Sequence, residues 1–151
     1  MPDALDLLIR DFGRLSATAT VGAHDDENAQ KLAWQEFGTA TAPPRPTLSA
    51  TTDRLAAALG RAIDARVAGV VAAKRTMTGE AILAEVGAML AEEVRDAIDG
   101  NTPPPLAAST LAARRRRGNF SARSLVDTGK MRLAIGVRAA PGVKLWEPGD
   151  A

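Results

Sequence analysis

Two clusters of proline divide the chain and decide where its helices can lie. The connector at 39–47 holds three prolines, which exclude helix there and favour an extended, polyproline-like backbone. A second cluster at 103–105 follows a helix-stop sequence at 99–101. Because neither cluster can lie inside a helix, the sequence predicts that the two long helices of the chain lie between them.

Both long helices are predicted from apolar residues that recur every three or four positions. The first begins near Ser49 or Thr51 and runs to about Lys74. Its stripe comprises Leu55, Leu59, Ile63, Val67 and Val70. The second has Thr78 as its cap and ends at 99–101. Its buried stripe is predicted to comprise Ile82, Val86, Met89, Leu90, Val94 and Ile98.

A shorter helix precedes the first proline cluster. It is predicted over 28–37, with Asp25 or Asp26 as its cap and Gly38 as its stop. Its apolar face is predicted to comprise Ala29, Leu32, Ala33 and Phe37, with Trp34 beside it. An aromatic pair on a helix most often belongs to the core, and the alternative is an interface anchor, where tryptophan is enriched. Both interpretations are open.

Extended segments are predicted near both ends of the chain. Residues 17–23 are rich in β-favouring Thr and Val and are predicted to form a strand. Residues 131–138 alternate between apolar and other side chains, which is typical of a strand with one buried face. Further predictions are a helix over 3–14, a short helix that Ser109 caps and that ends near 116 or 117, and a final strand over 143–146.

Together these elements predict an α+β fold in a single domain over 1–151. A small antiparallel sheet, built from 17–23, 131–138 and 143–146, is expected to pack against the two long helices. Loops rich in Pro and Gly are then available for interactions. Aromatic residues make up only 3% of the chain, so its core must be mostly Ala, Leu, Val and Ile. Such a core buries little area per residue, which favours an obligate oligomer.

The residue types that enzymes and metal sites need are scarce in this sequence. There is no Cys and His24 is the one histidine, which excludes disulfides, Cys-ligated zinc and multi-histidine metal sites. No phosphate-binding loop of the Walker type and no Gly-x-Gly-x-x-Gly sequence is present. Glu92 and Glu93 are adjacent on a helix and point about 100° apart, which suits a solvated face better than a carboxylate pair. We expect no catalysis, no cofactor and no metal.

Global charge and hydropathy say little about partners. The formal net charge is +1, which favours no particular class of ligand. Residues 1–13 lack the basic and apolar regions of a secretion signal. No segment approaches the roughly 18 apolar residues of a membrane helix. We therefore expect a soluble intracellular protein without membrane contact.

The strongest local charge feature is a basic run comprising Arg114, Arg115, Arg116 and Arg117. Three interpretations of it are open. It can be a solvated surface, which is the usual case for charge runs. It can contact an acidic surface of a partner subunit, or it can contact DNA phosphates without reading sequence. Because Phe120 is the one aromatic nearby, stacking on the bases of a single strand is not expected.

Two sets of short motifs follow one another in the chain. The first set comprises Glu36-Phe37-Gly38-Thr39 and Pro44-Arg45-Pro46. The second set comprises Pro105-Leu106, Ser109-Thr110 and Leu125-Val126-Asp127-Thr128-Gly129. In this order they resemble the neck and tail-completion proteins of long-tailed DNA phages, a family of virion morphogenesis and head–tail connector proteins. The resemblance covers about residues 20–138.

The resemblance implies a structural virion protein without catalytic activity. It implies an α+β subunit that assembles as a ring, expected to be a hexamer or dodecamer, between the portal vertex and the tail tube. The implied partners are further copies of the chain and neighbouring neck, portal-side and tail-tube proteins, with non-specific contact to genomic DNA in the channel. The implied location is the virion, and the host cytoplasm during assembly.

Particular residues follow from this resemblance as candidates for contact. Those expected at a subunit or partner interface are Trp34, Phe37, Arg45, Pro46, Asp127, Thr128 and Gly129. The run from 114 to 117 is the candidate for contact with DNA or an acidic partner. Taken alone, 127–129 also fits a simple cap and turn with Gly129 at positive φ. The alternative function is a small DNA-binding protein that uses the same basic run.

Overall fold

The computed structural model describes residues 15–73, 77–125 and 129–141. These residues form five helices and one two-stranded antiparallel sheet, which confirms the predicted α+β class. In chain order the elements are β1 (Ala17–Ala23), α1 (Asp26–Phe37), α2 (Leu48–Ala73), α3 (Gly79–Asp99), α4 (Ala108–Arg116), α5 (Lys130–Ala134) and β2 (Ile135–Pro141). The predictions for 3–14, for 143–146 and for Asp127 and Thr128 lie outside the described residues.

Local side-chain contacts set both ends of α1. Asp25 is the N-cap, because its Oδ1 accepts a hydrogen bond from the backbone N–H of Asn28 at 2.9 Å. Gly38 follows the last helical residue with φ at +76°. A Cβ there would lie 2.9 Å from the nitrogen of Pro44, so the position accepts only glycine. The predicted cap and stop are confirmed.

The two long helices lie where the proline clusters and apolar stripes predict them. Thr78 caps α3, since its Oγ1 accepts a hydrogen bond from the N–H of Ala81 at 3.2 Å. The helix ends at Asp99, and Asn101 follows in the left-handed region with φ at +61°. On α3 the buried stripe residues are Ile82, Val86, Val94 and Ile98. Met89 is half-exposed, and the stripe of α2 is only partly buried.

The strand predicted over 131–138 is wrong in its first half. Lys130–Ala134 is the helix α5, and only Ile135–Pro141 is strand. Met131 and Ile135 are buried, whereas Leu133 is 76% exposed. Residues four apart share a face both in a strand and in a helix, so the burial of Met131 and Ile135 fits either structure. Burial of Leu133 would have required the strand.

The predicted cap of α4 is also corrected. The helix begins at Ala108 and its N-cap is Ala107, which makes no side-chain hydrogen bond to the helix. Ser109 therefore lies inside the first turn. The predicted end is confirmed, because α4 ends at Arg116 and Arg117 is the C-cap.

Packing divides the chain into two compact units. The first comprises the described residues within Met1–Thr20, Ala57–Ala88 and Val137–Ala151. In this unit Ile82 and Val86 of α3 are buried. Arg66 and Glu85 form an ion pair in it, with 2.9 Å between Nε and Oε2. The single domain predicted for 1–151 stays a prediction.

The second unit lies within Val21–Ala56 and Met89–Gly136 and holds the core on which the candidate site rests. The buried members of this core are Leu32, Ala91, Val94, Ile98, Leu125, Met131 and Ile135. All are aliphatic or Met, as the composition predicts. Helix α1 packs against α5, and the two helices contribute Leu32 and Met131. Full burial of a Leu, Val, Ile or Met side chain stabilises a fold by about 1.5–3 kcal/mol.

Candidate functional site

The carboxylate of Glu36, near the end of α1, caps the start of α2. It accepts hydrogen bonds from the backbone N–H groups of Thr47 at 3.0 Å, Leu48 at 3.1 Å and Ser49 at 2.7 Å. The Ser49 hydroxyl also donates to it. The first N–H groups of a helix have no partner within that helix, and its N-terminus carries a partial positive charge. Glu36 therefore supplies both the acceptors and the opposite charge.

This environment shifts the pKa of Glu36. Partial burial by itself raises the pKa of the carboxyl, because it disfavours the charged form. The hydrogen bonds from Ser49, Thr47 and Leu48 together outweigh that effect, so the pKa of Glu36 lies below its ordinary value of 4.5. The carboxylate is consequently charged at neutral pH.

The connector between α1 and α2 is an ordered loop. The Oγ1 of Thr39 accepts hydrogen bonds from the N–H of Ala42 at 3.1 Å and of Thr41 at 3.3 Å. The N–H of Thr39 donates to the carbonyl of Ala42, and the N–H of Arg45 donates to the carbonyl of Gln35. The segment is non-helical, as predicted, but it contains a tight turn as well as extended backbone.

Arg45 joins the two proline clusters. Its Nε donates a hydrogen bond to the carbonyl of Pro104 at 2.7 Å, and its Nη2 donates to the carbonyl of Pro105 at 3.2 Å. The residue is only 6% exposed. Arg45 thus acts within the subunit, and its predicted contact with a partner stays a prediction. Pro46 beside it is exposed.

Further polar contacts hold the chain after α3. The Oδ1 of Asn101 accepts hydrogen bonds from the N–H and the hydroxyl of Ser124, at 2.8 and 3.0 Å. The hydroxyl oxygens of Thr47 and Thr102 lie 3.3 Å apart. Residues that are far apart in sequence therefore form one hydrogen-bonded set. The sequence did not predict the contacts of Asn101, Thr102 and Ser124, because local sequence patterns carry no signal for hydrogen bonds between residues so far apart in the chain.

The basic run divides into one buried and three exposed arginines. Arg114 is 6% exposed, and its Nη1 donates to the carbonyls of Arg123 at 2.8 Å and Ser121 at 3.3 Å. Its Nη2 lies 3.5 Å from the carbonyl of Ser124. This guanidinium holds the loop after α4. The exposed members are Arg115, Arg116 and Arg117.

Large apolar side chains lie on the outside of the second unit. Trp34 is 50% exposed and Phe37 is 81% exposed, so of the two open interpretations the one that places the pair in the core of the subunit is wrong. The interface interpretation stays a prediction. They are three residues apart on α1 and therefore share a face of that helix. Phe120, in the loop after α4, is 80% exposed. Gly129 precedes α5 with φ at +76°, which confirms the positive φ predicted there.

Among the described residues, no group of three or more His, Asp or Glu lies close enough to hold a metal ion. Within the same residues no helix is both long and apolar enough to cross a membrane. The arrangement thus offers ordered loops and exposed side chains for contact. A comparison of the chain with protein-family models, curated proteins and solved structures finds no match.

Proposed function

We propose that this chain is a structural virion protein of the head–tail junction of a long-tailed phage. In this role it acts in the neck, in tail completion or as a tail terminator. Copies of it assemble as a ring, a hexamer or a dodecamer, that joins the tail to the DNA-filled capsid. Its neighbours in the particle are other neck proteins, portal-side proteins and tail-tube proteins.

The observation that carries the proposal is the exposure of Trp34 and Phe37 beside an ordered loop. Exposed apolar clusters mark interaction surfaces, and tryptophan is enriched among the residues that dominate binding energy. The contacts of Glu36, Thr39 and Arg45 order the loop within the subunit. A loop that is ordered before docking loses less conformational entropy on association.

The order of the sequence motifs gives the second support. Polar motif residues such as Glu36, Thr39 and Arg45 bind backbone groups inside the subunit, while Phe37 and Pro46 of the same motifs face outward. The same short motifs thus contain residues that hold the loop backbone and residues that face solvent. In a ring each subunit contacts the next through two different surfaces, and the rotation closes the assembly.

The test replaces both aromatic side chains in the double variant Trp34→Ser/Phe37→Ser. We expect the variant to fold, because neither side chain is buried, but to lose assembly into a ring. Light scattering on the purified chain, alone and with a tail-tube or portal-side preparation, gives the oligomeric state. Yields of tailed, infectious particles measure the same defect in the virion.

Val71→Ser is the matched control, because it removes another exposed apolar side chain, 67% exposed, from the first unit. We expect it to leave ring formation and particle yield at the wild-type level. Wild-type assembly by the double variant would overturn the proposed contact. A purified chain that stays monomeric and does not bind the tail-tube or portal-side preparations would overturn the proposed function itself.

A further inference from the structure

The end of α4 carries one buried arginine and three exposed arginines. Successive helical residues are rotated by about 100°, so with Arg114 facing the interior Arg115 and Arg116 lie on other sides of the helix. Arg117, the C-cap residue that follows the helix, is exposed as well. The N–H groups of Arg117 and Asn119 both donate to the carbonyl of Arg114, at 2.9 and 3.0 Å. The backbone of the turn is thereby fixed, and Arg115 and Arg116 are exposed on it.

Phe120 projects from the same ordered turn. The Oδ1 of Asn119 accepts a hydrogen bond from the N–H of Ser121 at 2.9 Å, which closes a small turn around Phe120. The carbonyls of Ser121 and Arg123 point at the buried guanidinium of Arg114. With its backbone held from inside, the loop leaves the Phe120 ring 80% exposed. A free aromatic face therefore lies within five residues of three exposed arginines.

From this placement we infer that the arginine tip, comprising Arg115, Arg116, Arg117 and Phe120, binds single-stranded nucleic acid without reading its sequence. Guanidinium groups pair with phosphates, and an exposed aromatic ring stacks on any base. The proposal goes beyond the structural function above and does not depend on it. It departs from the expectation from sequence that the chain does not stack on the bases of a single strand, because the Phe120 ring is exposed.

A single strand fits the tip better than a duplex does. In a duplex the bases are stacked on one another, so contact without base readout runs through phosphates alone and gives Phe120 no role. The nearby Arg123 lies 3.7 Å from the carboxylate of Asp99, which Arg132 contacts more closely at 2.7 Å. Arg123 is thus partly engaged by Asp99 and is not assigned to the tip.

The experiment is a fluorescence titration of the full chain against a labelled oligothymidylate of about ten nucleotides, repeated over a range of salt concentrations. The triple variant Arg115→Ala/Arg116→Ala/Arg117→Ala is expected to bind more weakly and to lower the slope of log affinity against log salt by about 2. Phe120→Ala is expected to weaken binding roughly tenfold while leaving that slope unchanged. Phe120→Trp is expected to retain binding.

A pair of single variants supplies the matched control. Arg116→Ala and Arg61→Ala each remove one exposed helical arginine, and Arg61 lies on α2 away from the tip in sequence. Only Arg116→Ala is expected to weaken oligonucleotide binding. The proposal is overturned if the wild-type chain does not bind the oligonucleotide, or if the triple variant binds as the wild type does. Equal affinity for a duplex, with no effect of Phe120→Ala, overturns it as well.

Failure here and failure of the ring proposal give different results. If the triple variant binds oligothymidylate normally but no longer assembles with particle preparations, the tip contacts an acidic protein surface and the nucleic-acid proposal is lost. If oligonucleotide binding follows the tip while the chain never forms a ring, only the neck proposal is lost. Circular dichroism on each variant verifies that the fold is intact.

Discussion

The loop after α1 and the loop after α4 are each held by a buried arginine, but the two loops present different surfaces to solvent. In each, a buried arginine donates hydrogen bonds to backbone carbonyls: Arg45 to Pro104 and Pro105, and Arg114 to Ser121 and Arg123. The surface beside Arg45 is apolar, whereas the surface beside Arg114 is basic. An arginine in a loop motif therefore does not predict a contact surface unless the burial of its side chain is known.

The same comparison explains why a run of four arginines is not one functional unit. Burying a guanidinium costs free energy unless its donors find acceptors. At position 114 several loop carbonyls converge and meet that requirement. Arg115, Arg116 and Arg117 are exposed to solvent. The structure thus separates one arginine that holds the loop from three that are exposed at the surface.

The largest expected effect comes from removing the buried arginines. Arg114→Ala is expected to lower the free energy of unfolding by about 3 kcal/mol and Arg45→Ala by about 2 kcal/mol, because loop carbonyls lose charged donors. Arg116→Ala is the matched control and is expected to stay within about 0.5 kcal/mol of the wild type. Urea unfolding monitored by Trp fluorescence measures all three. Equal effects at 114 and 116 would break the distinction between buried and exposed arginines.

A smaller effect is expected from the carboxylate at the start of α2. Because hydrogen bonds lower the pKa of Glu36 in the folded chain, its contribution to stability is fully present above the ordinary value of 4.5. It is lost as the pH falls below 4.5 and through the lowered pKa, since the unfolded chain then binds the proton more readily. The difference in unfolding free energy between the wild type and Glu36→Gln should therefore shrink in acid.

Two other carboxyls do not disturb this measurement. The N–H of Asn28 lowers the pKa of Asp25, and the hydrogen bond from Lys31 lowers the pKa of Glu27. Both groups are present in the wild type and in Glu36→Gln, so their contributions cancel in the difference. A difference that stays constant from neutral to acid pH would contradict the capping role of Glu36.

The smallest effect is expected at the exposed aromatic residues. Phe37→Ser and Phe120→Ser should each change the free energy of unfolding by less than about 0.5 kcal/mol, because both rings are at least 80% exposed. Leu32→Ala, on the buried face of α1, is the comparison and should cost about 2–5 kcal/mol. A loss above about 1 kcal/mol at either phenylalanine would place that ring in the core.

Local signals in the sequence predicted most element boundaries correctly. Asp25, Gly38 and Thr78 act on the backbone within three or four residues of themselves, and such contacts can be derived without tertiary structure. The assignment of 131–134 to a strand was wrong because Met131 and Ile135 share a face in both structures. Only the exposure of Leu133 separates the two possibilities.

The sequence by itself determined the α+β class, the non-helical proline segments, the ends of α1 and the aliphatic core. All of these follow from backbone sterics, short-range capping and composition. Only the tertiary structure decided which arginines are buried, where Trp34 and Phe37 point, and which N–H groups Glu36 accepts. These depend on backbone groups from distant segments that converge on one side chain, as the carbonyls of Pro104 and Pro105 converge on Arg45.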